Sequence, residues 1–553
     1  MRQNTDRIKA LILGTAFFVF LGLNFTTAAQ SEKRQRVAIP TPTPKPAATP
    51  TIKPTATPKA TPAASPAPTP IPRPVQTLTE LQTKIKTSTL RPELRRGSIG
   101  IKIVSLNTGK VVYEENAEKY FMPASNMKNF TVATAMEKLT PDFRFVTSVF
   151  APAIPDASGT IRGGLTIYGR GDISISTAFY DGNYYRGLEM LADKLIQAGV
   201  KRVEGDLVGD ESYFSGGAIP GGWEWDDLQW YYGAEVSSLP LNDNAVDLKI
   251  RPGKSGDPCS VQITPANPVY RIINNCRTKP SGTRDIKVEK DITHNVVEVS
   301  GTMPAGDSGY DGAITVSHPA DLFVSLFRQV LQQKGVVITG QTKVIGAKEK
   351  AMMTVASAAA PVEIARYESF PFSLIAAKTM KPSQNMYTET ILWTLGEHVG
   401  DKSIAKATSA ERGATVVRAF LREIGVPEGS VVQYDGSGLS RHNLITPNAV
   451  TTLYTYMATK SRFAAAWRDS LTIGGVDGTL RNRYRGTAAE GNMRGKTGTI
   501  DQVSALSGYL TTAGGEQFVI SIIINGVPEG SGTRQAIADE IVVNLANFNG
   551  KTN

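Results

Sequence analysis

In the run Pro123-Ala124-Ser125-Asn126-Met127-Lys128 a serine and a lysine stand three residues apart. Met127, Phe130, Ala133, Met136 and Leu139 recur at three- and four-residue steps, which predicts a helix over 123–139 with one buried stripe and Pro123 in its first turn. Side chains three apart on a helix share a face, so Ser125 and Lys128 would be within mutual reach. A serine hydroxyl is a weak nucleophile until a base takes its proton, and a lysine is such a base only when neutral. Burial and a second cation both favour the neutral form. The spacing alone is weak, because about two Ser-x-x-Lys matches arise by chance in a chain of this length, and Ser403/Lys406 is a second one.

Two later motifs sharpen the reading: Ser383-Gln384-Asn385 and Lys496-Thr497-Gly498-Thr499. Each is weak singly, and their order discriminates. Ser-x-x-Lys, Ser-x-Asn and Lys-Thr-Gly in succession form the motif set of penicillin-binding proteins and serine β-lactamases. Ser403/Lys406 follows Ser383, and Ser105-Leu106-Asn107 precedes Ser125, so both break that order.

The elements that must position these residues are legible in outline. Alternation from Gly97 to Tyr120, broken at Asn107-Thr108-Gly109-Lys110, predicts a hairpin leading into the Ser125 helix. From 145 to 346 come many short strands with helical runs at 188–199 and 319–335, and frequent Gly and Pro, which reads as an insertion. From 359 helical segments dominate until strand-like runs at 493–497, 504–510 and 518–524, and a last helix is expected over 534–548.

At the other end Arg2, Arg7 and Lys9 precede an apolar run from Ala10 to Leu23 and then Thr27-Ala28-Ala29, the pattern of a secretory signal. The run is short for a membrane span, so cleavage near Ala29 and retention as an N-terminal anchor are the two readings. Both predict export to the periplasm or cell envelope. Residues 30–75 mix Pro, Thr, Ala and Lys with few large apolar side chains, which describes a disordered spacer or an idle tail. The net charge of +10 is dispersed and falls partly in these segments, so nucleic acid is not an expected partner, whereas peripheral membrane contact is compatible with it. Cys259 and Cys276 read as one disulfide in an oxidising compartment, the alternative being two buried thiols. With four histidines and no Cys/His cluster, no metal or other cofactor is expected.

The chain resembles the class C low-molecular-mass penicillin-binding proteins, the serine D-Ala-D-Ala carboxypeptidase/endopeptidase family. The three motifs carry the resemblance, together with Tyr434-Asp-Gly-Ser-Gly-Leu-Ser-Arg-His-Asn443, Gly474-Gly-Val-Asp-Gly-Thr-Leu480, Tyr168-Gly-Arg-Gly-Asp172, and about 255 residues between Ser125 and Ser383. It implies an α/β (α+β) penicillin-binding-protein/serine β-lactamase-like peptidase domain, an antiparallel sheet flanked by helices, over 76–146 and 352–553. Two nested strand-rich insertions follow from it, 147–245 with 310–351, and 246–309 inside that.

The resemblance also implies roles. Ser125 is the nucleophile, Lys128 its base and Ser383 a proton relay. Asn385 binds the substrate amide, and Lys496, Thr497 and Thr499 bind its carboxylate, with Gly498 small so that the strand lies close. Asp227 and Arg441 hold the charged end of the stem peptide's diamino-acid side chain. Peptidoglycan stem peptides and β-lactam antibiotics are the implied partners. A non-catalytic wall scaffold or β-lactam sensor is countered by the intact motifs, and a β-lactamase by the want of an identifiable base for its deacylating water.

Overall fold

The apolar run of the strand Gln517–Asn525 has to be covered on both faces, as strands with a continuous hydrophobic sequence are. In the computed structural model, which describes residues 74–352, 360–404 and 406–553, it lies inside a six-stranded antiparallel sheet. The order is Thr472–Ile473, Arg494–Ile500, Val503–Thr511, Gln517–Asn525, Ser98–Ser105, Val111–Glu115. Phe518, Ile520, Ile522 and Ile524 alternate onto one face and pack with Ile99, Ile101 and Ile103 under the helices Leu78–Thr89 and Ser531–Ala546. Val519 and Ile523 face the opposite way, into a core built with Phe130, Met136, Tyr387 and Leu453. The expected hairpin is Ser98–Ser105 with Val111–Glu115, and the closing strands and last helix stand where the periodicity puts them.

The segment around Ser125 differs from the expected helix. Ser125 lies in a 3-10 turn, Ala124–Met127, and the α-helix runs only from Lys128–Lys138. Ala124 has a φ of 46°, in the left-handed region, so a right-handed helix cannot extend back through it. Nor is only one stripe buried: Lys128, Asn129, Thr131 and Thr134 are as inaccessible as Phe130 and Met136. The polar face of this helix is turned inward, towards the motifs.

A second core belongs to the middle of the chain. Its five-stranded sheet has the order Thr342–Ile345, Leu207–Asp210, Leu165–Tyr168, Val146–Ala151, Val362–Glu368, with the helices Arg186–Gln197 and Pro319–Gln333 contributing Leu188, Leu191, Leu195, Phe323 and Phe327. Val362–Glu368 lies in a stretch expected to be dominated by helices, and it pairs antiparallel with Val146–Ala151. Tyr310–Thr315 likewise pairs with Ala245–Arg251, so strand pairing crosses the expected limits at 309 and 351. Beyond lies a three-stranded sheet, Arg271–Lys279, Val296–Pro304, Asp285–Lys290. The signal segment and the spacer up to residue 73 fall outside the described residues. Among the described residues no helix is long and apolar enough to cross a membrane.

Cys259 and Cys276 form a disulfide with Cα atoms 5.3 Å apart, closing a loop of sequence separation 17. A crosslink over a loop of that size lowers the entropy of the unfolded chain by roughly 3 kcal/mol equivalent. Replacing both cysteines by serine is therefore expected to lower the stability of the middle of the chain by about that amount. Penicillin labelling at 25 °C, remote from the loop, should be retained. Thermal melting and labelling of the same sample check the two halves of this expectation.

Candidate active site

Residues distant in sequence converge on the Ala124–Met127 turn. Lys128 is fully buried, and its Nζ donates to Ser125 Oγ at 3.0 Å, to Asn385 Oδ1 at 2.6 Å and to the Ser437 carbonyl at 2.7 Å. Three acceptors match the three hydrogens of an ammonium. Of the three, only the serine hydroxyl can also donate, so an amine that has lost one proton turns its lone pair to Ser125. Burial lowers the Lys128 pKa to about 7, against the carboxylates of Asp435 and Glu389, which raise it. Lys496 is the neighbouring cation, and burial first, and then the Lys128 charge, hold it well below its ordinary value.

Across the cleft, Lys496 Nζ donates to Ser383 Oγ at 2.8 Å and to the Thr497 carbonyl at 2.9 Å. Ser383 has a φ of 67° and stands two residues before the first residue of the helix Asn385–His398. That arrangement places Asn385 in the helix's first turn, where its Nδ2 donates to the Tyr232 carbonyl at 2.9 Å. Lys496, Thr497, Gly498 and Thr499 all lie on Arg494–Ile500, next to the Ala124–Met127 turn. Asn126 ties the two together through a bond from its Nδ2 to the Lys496 carbonyl, 3.1 Å. A Cβ on Gly498 would lie 2.6 Å from the Pro123 carbonyl and 3.0 Å from the Ser125 nitrogen. Gly498 is thus required first by contact with the Ala124–Met127 turn itself.

Several residues here were not singled out by sequence. Glu389 is fully buried and accepts from the backbone of Gly436 at 2.9 Å and Ser437 at 2.7 Å, aiming the Ser437 carbonyl at Lys128. Burial, and then the neighbouring Asp435, push its pKa above the ordinary carboxylate value. Asp435 accepts from Gly438 N, Ser440 N, Asn443 Nδ2 and, at 2.9 Å, from Trp223 Nε1. The available signal was an acid inside the otherwise uncharged run Asn385-Met-Tyr-Thr-Glu-Thr-Ile-Leu-Trp393. The stretch Trp223-Glu224-Trp225-Asp226-Asp227 of the insertion reaches this region through Trp223 and Glu224. Arg441 makes its ion pair with Glu224, Nε to Oε1 2.9 Å, and donates to the Asp501 carbonyl at 3.2 Å. Asp227 lies in the turn that follows, its backbone N–H bonded to the Glu224 carbonyl. Ser403 is exposed in a surface turn, bonded to Asp401, and Ser105 is buried against Glu516, so neither decoy meets a lysine base.

A sheet with helices on both faces, a Ser/Lys turn pressed against one strand, and a large insertion between the first two motifs make up the architecture of the penicillin-binding serine hydrolases. It superposes on penicillin-binding protein 4 of Haemophilus influenzae with a TM-score of 0.71, covering 86% of this chain and 100% of that one at 22% identity. Residues 81–548 match the D-Ala-D-Ala carboxypeptidase 3 (S13) family, and the chain belongs to it. The D-alanyl-D-alanine carboxypeptidase of an Actinomadura species is 31% identical over 471 residues, 83% of each chain. The D-alanyl-D-alanine carboxypeptidase DacB of Haemophilus influenzae is 25% identical over 83% of this chain and 93% of its own length.

A base with a pKa near 7 is protonated, and useless as a base, at lower pH. Acylation by a penicillin is accordingly expected to rise about tenfold per pH unit below 7 and to level off above it, with Lys128→Met abolishing the reaction. The second-order acylation rate measured between about pH 5 and 9 checks this. Gly498→Ala should slow acylation about 100-fold, because the strand must move away from Ser125.

Proposed function

We propose that this chain is a serine D-Ala-D-Ala carboxypeptidase, with D,D-endopeptidase activity, acting on peptidoglycan stem peptides through an acyl-enzyme on Ser125. The observation that carries the proposal is the buried Lys128, whose hydrogen bonds leave Ser125 as its one partner able to yield a proton. Ser125 Oγ attacks the carbonyl of the penultimate D-Ala while its proton passes to Lys128 Nζ. The C–N bond breaks, and the proton taken by Lys128 passes through Ser383, itself bonded to Lys496, to the nitrogen of the departing D-amino acid, leaving Lys128 neutral again. Water then attacks the ester carbonyl, the bond from that carbon to Ser125 Oγ breaks and one proton of the water ends on Oγ, releasing the shortened peptide and restoring Ser125.

Backbone N–H groups of Ser125 and Thr499 serve as the oxyanion hole, a contribution typically of about 3 kcal/mol. Asn385 binds the substrate amide while steadying Lys128. Lys496, Thr497 and Thr499 bind the terminal carboxylate. A β-lactam enters by the same route and acylates Ser125, but its ring fragment stays attached and blocks water, so the antibiotic inhibits covalently. The peptidase part comprises 76–146 and 352–553, with Val362–Glu368 lent to the insertion's sheet. The N-terminal segment exports or tethers it in the periplasm or envelope.

Arg441 and the acidic stretch including Asp227 bind the zwitterionic end of the diamino-acid side chain, guanidinium to carboxylate and carboxylate to ammonium. The Glu224–Arg441 pair supports a pocket here, and a substrate carboxylate would compete with Glu224 for Arg441.

Ser125→Ala is expected to abolish both penicillin labelling and D-Ala release with the melting temperature unchanged. Digestion of cross-linked peptidoglycan followed by mass analysis reports which bonds are cut. Absence of D-Ala release and of cross-link cleavage by the wild type would overturn the proposal. Asp227→Ala should lose the preference for a free diaminopimelate end over a neutral one, and an unchanged preference would remove Asp227 from the pocket.

A further inference from the structure

The loop Gly474-Gly-Val-Asp-Gly-Thr-Leu480 has no part in the chemistry described so far, yet it touches two of the motifs. Lys381, two residues before Ser383, holds it twice. The Lys381 carbonyl accepts from Thr479 N at 3.0 Å, and Lys381 Nζ pairs with Asp477 Oδ2 at 2.5 Å. Asp477 in turn accepts from Ile473 N at 2.8 Å, and Thr472 Oγ1 donates to the Asp477 carbonyl at 2.6 Å, on the short strand paired with Gly495 and Arg494. Gly478, at φ 53°, lies so close that a Cβ would be 2.5 Å from both the Lys381 carbonyl and Thr472 Oγ1. The loop is thus fixed between the Ser383 turn and the strand bearing Lys496. What it presents there is Thr479, whose Oγ1 accepts a 2.7 Å hydrogen bond from Thr497 Oγ1.

We propose that Thr479 is a positioning residue of the carboxylate subsite, directing the Thr497 hydroxyl onto the substrate's C-terminal carboxylate. The inference rests on Thr497 binding that carboxylate, as set out under the proposed function. A hydroxyl has one proton to donate and two lone pairs. Without substrate the Thr497 proton is spent on Thr479. An arriving carboxylate is the stronger acceptor, since charge-assisted hydrogen bonds are shorter and stronger than neutral ones. Thr497 then swings its proton to the carboxylate, and the Thr479 hydroxyl, already 2.7 Å away, donates into the lone pair left behind. Each bond in such a chain polarises the next, so the Thr497 proton becomes a better donor than an isolated hydroxyl. No covalent bond changes in the step, and the proton count is conserved.

The test uses two thioester substrates of an acylated D-Ala, one with a carboxylate on its leaving group and one with that carboxylate as the methyl ester. Both are reactive enough to be turned over, and penicillin titration gives the fraction of competent sites in each preparation. Thr479→Val should raise KM for the acid about five- to tenfold with kcat unchanged, and leave the methyl ester within about twofold of wild type. Thr479→Ser should restore the acid's KM. A loss equal on both substrates would make Thr479 merely structural, and no change on either would remove it from the subsite. Both outcomes overturn the inference. Thr497→Val is measured alongside. If it fails to discriminate acid from ester, the reading of Thr497 falls, whereas if it discriminates and Thr479→Val does not, only the relay falls.

Discussion

Burying a lysine amine is the constraint to which the rest of this structure answers. An ammonium taken out of water must have every hydrogen met or give up its proton. Lys128 sits between these limits, with three acceptors around it and a pKa lowered to about 7. Holding three acceptors within 3.0 Å needs three pieces of chain that share no sequence neighbourhood: the 3-10 turn, the start of the helix Asn385–His398, and the loop at Ser437. The inward polar face of the helix Lys128–Lys138, the buried Glu389 and the hub of bonds on Asp435 all hold those pieces in place.

The insertion belongs to the same arrangement. Its Trp223 indole donates to Asp435, and its Tyr232 carbonyl receives the Asn385 amide, so both acceptor pieces facing Lys128 are braced from the inserted side. Ser215 is bonded to Ser409 and Arg412 at the start of another helix of the peptidase part. An insertion with its own core is thereby made rigid where it meets the site. It also supplies Glu224, which keeps Arg441 poised beside the cleft.

Close backbone approach is the other recurring device. Ala124, the residue before Ser125, and Ser383 itself adopt left-handed φ values that non-glycine residues rarely accept. Gly438, at φ 85°, would bring a Cβ within 1.8 Å of the Ala124 carbonyl, and a Cβ on Gly498 would lie 2.6 Å from the Pro123 carbonyl beside it. The Ser125 turn thus meets two backbone segments that carry no side chain at the point of contact, which helps to hold a strained turn.

The sequence by itself determined the parts of this protein written in local periodicity and in motif order. The hairpin, the closing strands and the last helix follow from apolar alternation, which reports which face of an element meets the core. The order of Ser125/Lys128, Ser383/Asn385 and Lys496-Thr-Gly set the chemistry apart from its decoys. Tertiary structure decided the rest. Ser125 leaves the helix for a 3-10 turn because the strand at Gly498 and the loop at Gly438 press on Ala124, contacts between residues hundreds of positions apart. Val362–Glu368 becomes a strand because an open edge at Val146–Ala151 needs pairing. Arg441 takes Glu224 as its partner because the insertion delivers that carboxylate to it. The Lys128 pKa falls to about 7 because burial, a property of the whole fold and of no single segment, strips its water.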